Sequence, residues 1–270
     1  MDNFIVLYNP LAGNGTAQDK MRELESLMQG DRLYFSNMLD IRDYGAFFND
    51  MPDGASIIIC GGDGTLNRFL NDTEDIRPDC DIYYYPSGSG NDFARDIDAE
   101  RGASPVLINR YIERLPKICA NGKEHRFING IGYGIDGYCC EKGDELRGKG
   151  NGEVNYTAIA IKGLLFHYKP TGATITVDGV EHRFEKVWLA PTMIGRYYGG
   201  GMMPMPEQDR LNGDGAVSVT VYYGSGKLKS LAVFPSIFKG EHIKHSEMVA
   251  VLSGRNITVC FDEPRPLQID

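Results

Sequence analysis

The sequence predicts an α/β domain with a Rossmann-like parallel sheet, followed by an antiparallel β-sandwich domain. In the first part of the chain, short apolar runs alternate with segments of helical spacing, which indicates parallel strands joined by helices. Farther along, β-type runs in close succession replace the helical periodicity, which favours antiparallel sheets. We therefore expect an α/β domain over residues 1–122 and a β-sandwich domain over 123–270.

The elements of the first domain follow from apolar runs and helical spacing, taken in chain order. Strands are predicted at 4–8, 32–35, 56–60 and 81–85, and helices at 21–28, 43–49 and 66–70. In the second domain, strands are predicted at 174–177, 183–190, 216–223, 248–252 and 257–261. Asp178-Gly179 supplies the turn of a hairpin, and one helical insertion is expected at 156–166.

Composition narrows the class of protein. The chain has 270 residues, 42% of them hydrophobic, which is enough for a packed core. The formal net charge of -9 argues against broad affinity for nucleic acid, because such surfaces carry an excess of Lys and Arg. The first residues lack the basic and apolar segments of a signal peptide, and no run reaches membrane-spanning length, so we expect a cytoplasmic protein.

Three glycine-rich loops, at residues 9–15, 61–65 and 86–92, each follow a predicted strand and precede a predicted helix. Glycine lets backbone N–H groups approach a phosphate closely, and ligands bind at the carboxyl ends of parallel strands. The loops therefore predict one site for a phosphate-rich ligand, which indicates a nucleotide. The P-loop motif Gly-x-x-x-x-Gly-Lys-Ser/Thr and a Gly-x-Gly-x-x-Gly after the first strand are both absent, which excludes these two common nucleotide binders.

The ordered motifs of the three loops resemble those of the diacylglycerol kinase catalytic-domain family, which includes bacterial lipid kinases and sphingosine kinases. They are Asn9-Pro10 with Gly13 and Gly15, Gly61-Gly62-Asp63-Gly64-Thr65-Leu66-Asn67, and Pro86 with Gly88-Ser89-Gly90-Asn91-Asp92-Phe93-Ala94-Arg95. Looser similarity extends through 129–136, 198–206 and 211–219. One departure is Arg68, where the family often has Glu.

The resemblance implies the same two domains and an ATP-dependent transfer of the γ-phosphoryl group to a lipid hydroxyl. It assigns ATP to Asn9, Pro10, Gly13, Gly15, Gly61, Gly62, Asp63, Gly64, Thr65, Asn67, Gly88, Ser89, Gly90 and Asn91. Asp63 stands where a carboxylate orders Mg²⁺ between the phosphates, which makes it a catalytic candidate. The alternative for Asp63 is an aspartate that bonds the backbone of its own turn.

The resemblance also implies a structural Mg²⁺ and a catalytic base. The ion is assigned to Asp214 with the backbone carbonyls of Leu211 and Ala216, although Asn-Gly-Asp-Gly also suits a tight turn before a strand. The family places its base in a C-terminal Asp-Gly-Glu motif. Here Asp270 matches the aspartate, the sequence stops before the Gly and Glu, and a segment returning to the nucleotide domain is expected to be missing. Asp262-Glu263 is the competing assignment.

A lipid acceptor requires contact with a membrane surface, and two segments are candidates for it. Lysines and histidines surround apolar residues between 227 and 245, which suits an interfacial patch or an ordinary solvated helix resting on the core. Met202, Met203 and Met205 suit an acyl slot or simple core filling. We therefore expect peripheral membrane association, while the sequence does not decide between a monomer and a homo-oligomer.

Two other functions remain open at this point. NAD kinase shares a Gly-Gly-Asp-Gly-Thr loop and a related two-domain plan, although the separate motif at 86–95 favours the lipid kinases. A nucleotide-binding regulator that has lost catalysis is the third hypothesis, because the end of the Asp-Gly-Glu motif is absent from the sequence.

Overall fold

A computed structural model describes residues 1–11, 17–76, 78–88, 90–148, 159, 163 and 168–270. The chain divides into two compact units, residues 1–128 and 129–270. The sequence placed the domain boundary between 122 and 123. The structure puts a hairpin that spans this position inside the first unit.

The first unit is built on a five-stranded sheet in the order β2-β1-β3-β4-β5. The strands are β1 (Asn3–Tyr8), β2 (Arg32–Asn37), β3 (Ser56–Gly61), β4 (Ile82–Pro86) and β5 (Val106–Leu107). The first four are parallel, which confirms the predicted class of sheet, whereas the short edge strand β5 is antiparallel to β4.

Helices cover both faces of this sheet. They are α1 (Ala17–Leu27), α2 (Tyr44–Asn49), α3 (Asp63–Asp72), α4 (Asp92–Asp96) and α5 (Asn109–Ile112). On one face Ile58 of β3 packs in a cluster with Leu24 of α1. On the other face Ile57 and Ile59 pack in a cluster with Phe69 of α3. β3 is therefore buried on both sides, which explains its unbroken apolar run.

A hairpin that the sequence did not predict completes the first unit. It consists of β6 (Lys117–Ala120) and β7 (Lys123–Arg126). Asn71 at the end of α3 holds it as a backbone partner would, because its amide donates to the Arg126 carbonyl oxygen (3.1 Å) and accepts from the Arg126 N–H (2.8 Å).

The second unit contains two antiparallel sheets, in the orders β10-β9-β14 and β13-β12-β11-β8-β15. The strands are β8 (Gly130–Tyr133), β9 (Thr171–Val177), β10 (Val180–Val187), β11 (Thr192–Met193), β12 (Val217–Tyr222), β13 (Val249–Gly254), β14 (Ile257–Phe261) and β15 (Leu267–Ile269). Ile175 of β9 shares a buried cluster with Val219 and Val221 of β12, so the two sheets enclose one core. The predicted β-sandwich is confirmed.

Helical segments of the second unit differ from the prediction. They are α6 (Ile135–Gly148), α7 (Lys227–Val233) and two 3-10 helices, Phe234–Lys239 and Glu241–Lys244. The sequence analysis missed α6. The expected helical insertion at 156–166 lies outside the described residues except for Ile159 and Gly163.

Candidate functional site

The second and third glycine loops touch each other, backbone to backbone, at the carboxyl ends of β3 and β4. Gly61 lies opposite Pro86 in the sheet, and the Ser87 N–H donates to the Gly61 carbonyl oxygen over 2.9 Å. A Cβ atom on Gly88 would lie only 2.4 Å from the Cα of Gly62. The close approach excludes any side chain at Gly88, and it brings two of the predicted phosphate-binding loops together.

Asp63 ties these two loops by capping the helix that follows the third loop. Its carboxylate oxygens accept the backbone N–H groups of Asp92 and Phe93, each over 2.9 Å. The first N–H groups of a helix need partners from outside the helix. Asn91, which precedes α4, has left-handed backbone geometry (φ 51°) and turns its side-chain amide to the Gly88 carbonyl oxygen instead. Asp63 thus bonds the backbone at the start of the helix that follows the other loop.

Gly64 lies in the first turn of α3, and its side of the helix is open. Within the described residues, a Cβ added at Gly64 would meet no heavy atom within 4 Å, and Gly64 has an ordinary φ. Neither packing nor backbone geometry among these residues explains the glycine. Gly62, at the N-cap of α3, has no side chain to cap the helix, so the first turn of α3 offers N–H groups and a positive dipole end to an anion.

Several other residues assigned to ATP pack or form hydrogen bonds within the first unit, and three lie outside the described residues. Thr65 is buried, and a Cβ at Gly61 would lie 2.4 Å from its side chain. The Asn67 side chain donates to the Arg126 carbonyl oxygen over 3.0 Å and so faces the β6–β7 hairpin. In the first loop, Asn9 accepts the Leu11 N–H in a local turn that includes Pro10. Gly13, Gly15 and Ser89 lie outside the described residues.

An open cleft of about 450 Å³ at the end of β2 was not predicted from the sequence. It is lined by Ser36, Asn37, Asp40, Ile41, Arg42, Asp43, Ala46 and Phe47. Because β1 to β4 are parallel, the cleft lies at the same edge of the sheet as the glycine loops. The residue that could have indicated the cleft from the sequence is Asp43, which caps α2 by accepting the Ala46 N–H over 3.0 Å.

Asp270, the predicted catalytic base, is held firmly within the second unit. Its Oδ1 accepts the N–H groups of Asn129 (2.8 Å) and Gly130 (3.0 Å), and its own N–H donates to the Gly130 carbonyl oxygen. The Arg210 guanidinium donates to the buried Asn129 side-chain oxygen over 3.1 Å. Asp270 therefore has a fixed position at the end of β15.

The competing base, Asp262-Glu263, is engaged in ion pairs. Both carboxylate oxygens of Asp262 accept from the Arg183 guanidinium over 2.6 Å, and this pairing lowers the pKa of Asp262. Glu263 pairs with Arg265 over 3.0 Å. Asp262 therefore connects β10 to the end of β14, and the assignment of the base to Asp270 stays a prediction.

The loop assigned to a structural magnesium is closed by its own hydrogen bonds. The Ala216 carbonyl oxygen accepts from the Gln208 and Asn212 amides (3.1 and 2.8 Å), and Asp214 accepts the Ala216 N–H over 3.0 Å. Since two amides already occupy the Ala216 carbonyl, the donor set fits a tight turn better than an ion. No group of three or more His, Cys, Asp or Glu side chains suited to a metal occurs among the described residues. The assignment to Asp214, Leu211 and Ala216 stays a prediction.

Comparison with known proteins agrees with this architecture. The model of the diacylglycerol kinase catalytic domain matches residues 3–117. Relatives include a Mycobacterium tuberculosis protein named diacylglycerol kinase, 28% identical over 200 residues, which are 72% of this chain. The match spans only 63% of that relative's own length. A second relative of the same name, from Bacillus subtilis, is 27% identical over 222 residues, covering 79% of this chain and 70% of the relative.

A solved structure shares the whole fold. The crystal structure of a diacylglycerol kinase from Bacillus anthracis str. Sterne superposes with a TM-score of 0.64 at 18% identity, covering 99% of this chain and 89% of that one. The model of the YegS C-terminal NAD kinase beta sandwich-like domain matches residues 129–270, more than half of the chain. The resemblance predicted from the glycine loops is thereby confirmed. The chain belongs to the family defined by this YegS-type C-terminal domain, joined here to a diacylglycerol kinase catalytic domain.

Proposed function

We propose that this protein is an ATP- and Mg²⁺-dependent lipid kinase that phosphorylates the hydroxyl group of diacylglycerol or a related lipid. The observation that carries the proposal is the backbone contact between Gly62 and Gly88 beside the first turn of α3. This contact gathers two glycine bends and a helix N-terminus at the ligand-binding edge of a parallel sheet. The relatives named diacylglycerol kinase support the same activity.

The first unit would bind ATP mainly through its backbone. The open side of Gly64 lets phosphate oxygens reach the N–H groups of the first turn of α3. Asp63 holds the start of α4, and with it the third loop, beside that turn through its two hydrogen bonds. The cleft beside Asp43 is a candidate for the nucleoside part of ATP, since it lies at the same sheet edge. Bound Mg²⁺ would neutralise charge on the transferring phosphoryl group.

The second unit would supply the base. A carboxylate must accept the proton of the lipid hydroxyl as phosphoryl transfer proceeds. Asp270 suits this role because the two N–H groups of Asn129 and Gly130 fix its Oδ1. The lipid would be met at a membrane surface. No helix in the part of the chain that the structure describes is long and apolar enough to cross a bilayer.

The activity is tested by incubating the full-length protein with γ-labelled ATP, Mg²⁺ and diolein in mixed micelles, with NAD in a parallel reaction. We expect labelled phosphatidic acid and no labelled NADP. Labelled NADP alone would assign the protein to the NAD kinases. ATP binding measured by calorimetry, with no transfer to diolein or to a total lipid extract, would support a regulator without catalysis.

The choice of base is tested by exchanging one carboxylate at a time. Asp270→Asn keeps an oxygen for the Asn129 and Gly130 N–H groups but removes the base, so we expect turnover to fall at least about 100-fold with ATP affinity unchanged. Asp262→Asn is the matched control. It weakens an exposed ion pair, so we expect near-normal turnover and little change in stability. Loss of turnover in Asp262→Asn alone would reverse the assignment.

A further inference from the structure

Residues 227–240 form a helical segment with two apolar sides. Its buried side consists of Ser230, Val233, Phe234 and Ile237, at helical spacing. Val233, Phe234 and Ile237 belong to a core cluster that includes Trp188. This side accounts for the way in which the segment rests on the protein, as the solvated-helix alternative expects.

The opposite side of the segment faces solvent and is also apolar. Leu228, Ala232, Pro235 and Phe238 are exposed there, and Leu231 is half-buried beside them. The spacing is three or four residues in α7 and three in the 3-10 helix, so these residues form one stripe. Leu228 is 80% exposed and Phe238 is 40% exposed. An ordinary solvated helix would carry polar residues on this side.

The charges that border this stripe are mainly positive, although Glu241 directly follows the segment and pairs with Lys244. Lys227, Lys229 and Lys239 are exposed, and residues 227–240 contain no Asp or Glu, although the whole chain has a net charge of -9. Lys229 also pairs with Glu247 over 2.8 Å. His242, which the sequence analysis placed among the basic residues here, is buried and stacks on Tyr222, so it contributes nothing to this surface.

We propose that the stripe from Leu228 to Phe238, with its lysine border, is the surface by which this protein docks on a bilayer containing anionic lipid. Exposed apolar residues among lysines match the chemistry of such an interface, where apolar side chains enter the headgroup boundary and lysines meet acidic headgroups. An anionic partner is favoured because the rest of the chain is acidic and the segment is basic. The role of this docking in acceptor delivery rests on the proposed kinase function.

The docking is tested without ATP, by co-sedimentation of the full-length protein with vesicles of phosphatidylcholine containing 30 mol% phosphatidylglycerol. Pure phosphatidylcholine vesicles give the reference. We expect at least about 30-fold stronger binding to the anionic vesicles and the loss of this difference in Lys227→Glu/Lys229→Glu, because two lysines at such a surface together contribute about 2 kcal/mol, which is about 30-fold. Leu228→Asp should lower binding similarly. Val180→Asp is the matched control, since Val180 is 59% exposed in the β9–β10 hairpin of the same unit.

Equal binding of the wild-type protein to both vesicle types would overturn the proposal, as would variants at 227–229 that bind like Val180→Asp. These results are independent of the kinase proposal. If docking fails while diolein in detergent micelles is still phosphorylated, the kinase function stands without this surface. If vesicles bind as expected but no lipid is phosphorylated, the surface stands without the kinase function.

Discussion

At the scale of single residues, Gly64 and Gly88 differ in the reason for the glycine. Gly88 must be glycine because the Gly62 backbone touches it, whereas nothing within 4 Å among the described residues constrains Gly64. Glycine inside a helix lowers stability by about 1 kcal/mol relative to alanine. Close approach of a phosphate to the backbone would explain a glycine at this position despite the lower stability of the helix.

Gly64→Ala is therefore expected to raise the free energy of unfolding by up to about 1 kcal/mol and to weaken ATP binding at least tenfold. Urea denaturation and calorimetry with Mg²⁺ and ATP measure the two effects. Arg68→Ala on the same helix is the control, because Arg68 pairs at the surface with Asp72 over 3.3 Å, and the substitution should leave ATP affinity unchanged. Unaltered ATP affinity in Gly64→Ala would remove this turn from the nucleotide site.

At the scale of elements, α4 depends on a side chain that lies 29 residues earlier in the chain. The helix has only five residues, and Asp63 caps it from the start of α3. Short helices are marginal alone and need contacts of this kind. The cap therefore connects the start of α4 to the start of α3.

Asp63→Ala is expected to lower the free energy of unfolding by about 1–2 kcal/mol, since two N–H groups lose their acceptor. Asp63→Asn should lose less, because one side-chain oxygen remains. Urea unfolding followed by circular dichroism measures both. Asp72→Ala, at the far end of α3, should change stability by no more than about 0.5 kcal/mol. If Asp63→Ala proved as stable as Asp72→Ala, the capping would carry no weight in solution.

The sequence predicted those elements whose local pattern agrees with their tertiary setting. Continuous apolar runs gave β1, β3 and β4 within a residue or two, because strands buried on both faces leave no polar position. The β6–β7 hairpin was missed because both strands are only four residues long, β7 is polar throughout, and the anchor of the hairpin, Asn71, is distant in sequence. α6 was missed because its glycines and mixed polarity weaken the helical period.

The site shows the same division. Glycine motifs at strand ends predicted two loops that the structure brings together, since parallel strands deliver their carboxyl ends to one edge. The partners of Asp63, and the direction of Asn67 toward the β6–β7 hairpin, depend on contacts 29 and 59 residues away. No local pattern encodes contacts of that range. The cleft beside Asp43 likewise forms only once β2 and α2 are packed.

At the scale of the whole molecule, one buried histidine sets part of the acid sensitivity of the fold. His242 is fully buried, stacks on Tyr222 and shares a hydrogen bond of 3.0 Å with the Pro204 carbonyl oxygen. Burial lowers its pKa from 6.5 to about 4. The unfolded chain therefore binds an additional proton between these pH values, and stability present above pH 6.5 falls as the pH approaches 4.

This histidine is expected to remove at most about 3 kcal/mol of stability between pH 6.5 and 4. Urea midpoints of the wild-type protein and His242→Gln across this range measure the effect, and the variant should lose less stability on acidification. His245→Gln is the control, because His245 is partly exposed beside Glu247. Parallel pH profiles for the wild-type protein and His242→Gln would contradict the assignment.

The contact between Gly62 and Gly88 also limits how this architecture can change. The backbone of each glycine occupies the space that a Cβ atom on the other would need. A substitution at one position therefore requires a shift of the loop that carries the other. Transfer of one of these glycine loops into another scaffold therefore requires transfer of the other loop and of Asp63, which bonds the helix after the third loop.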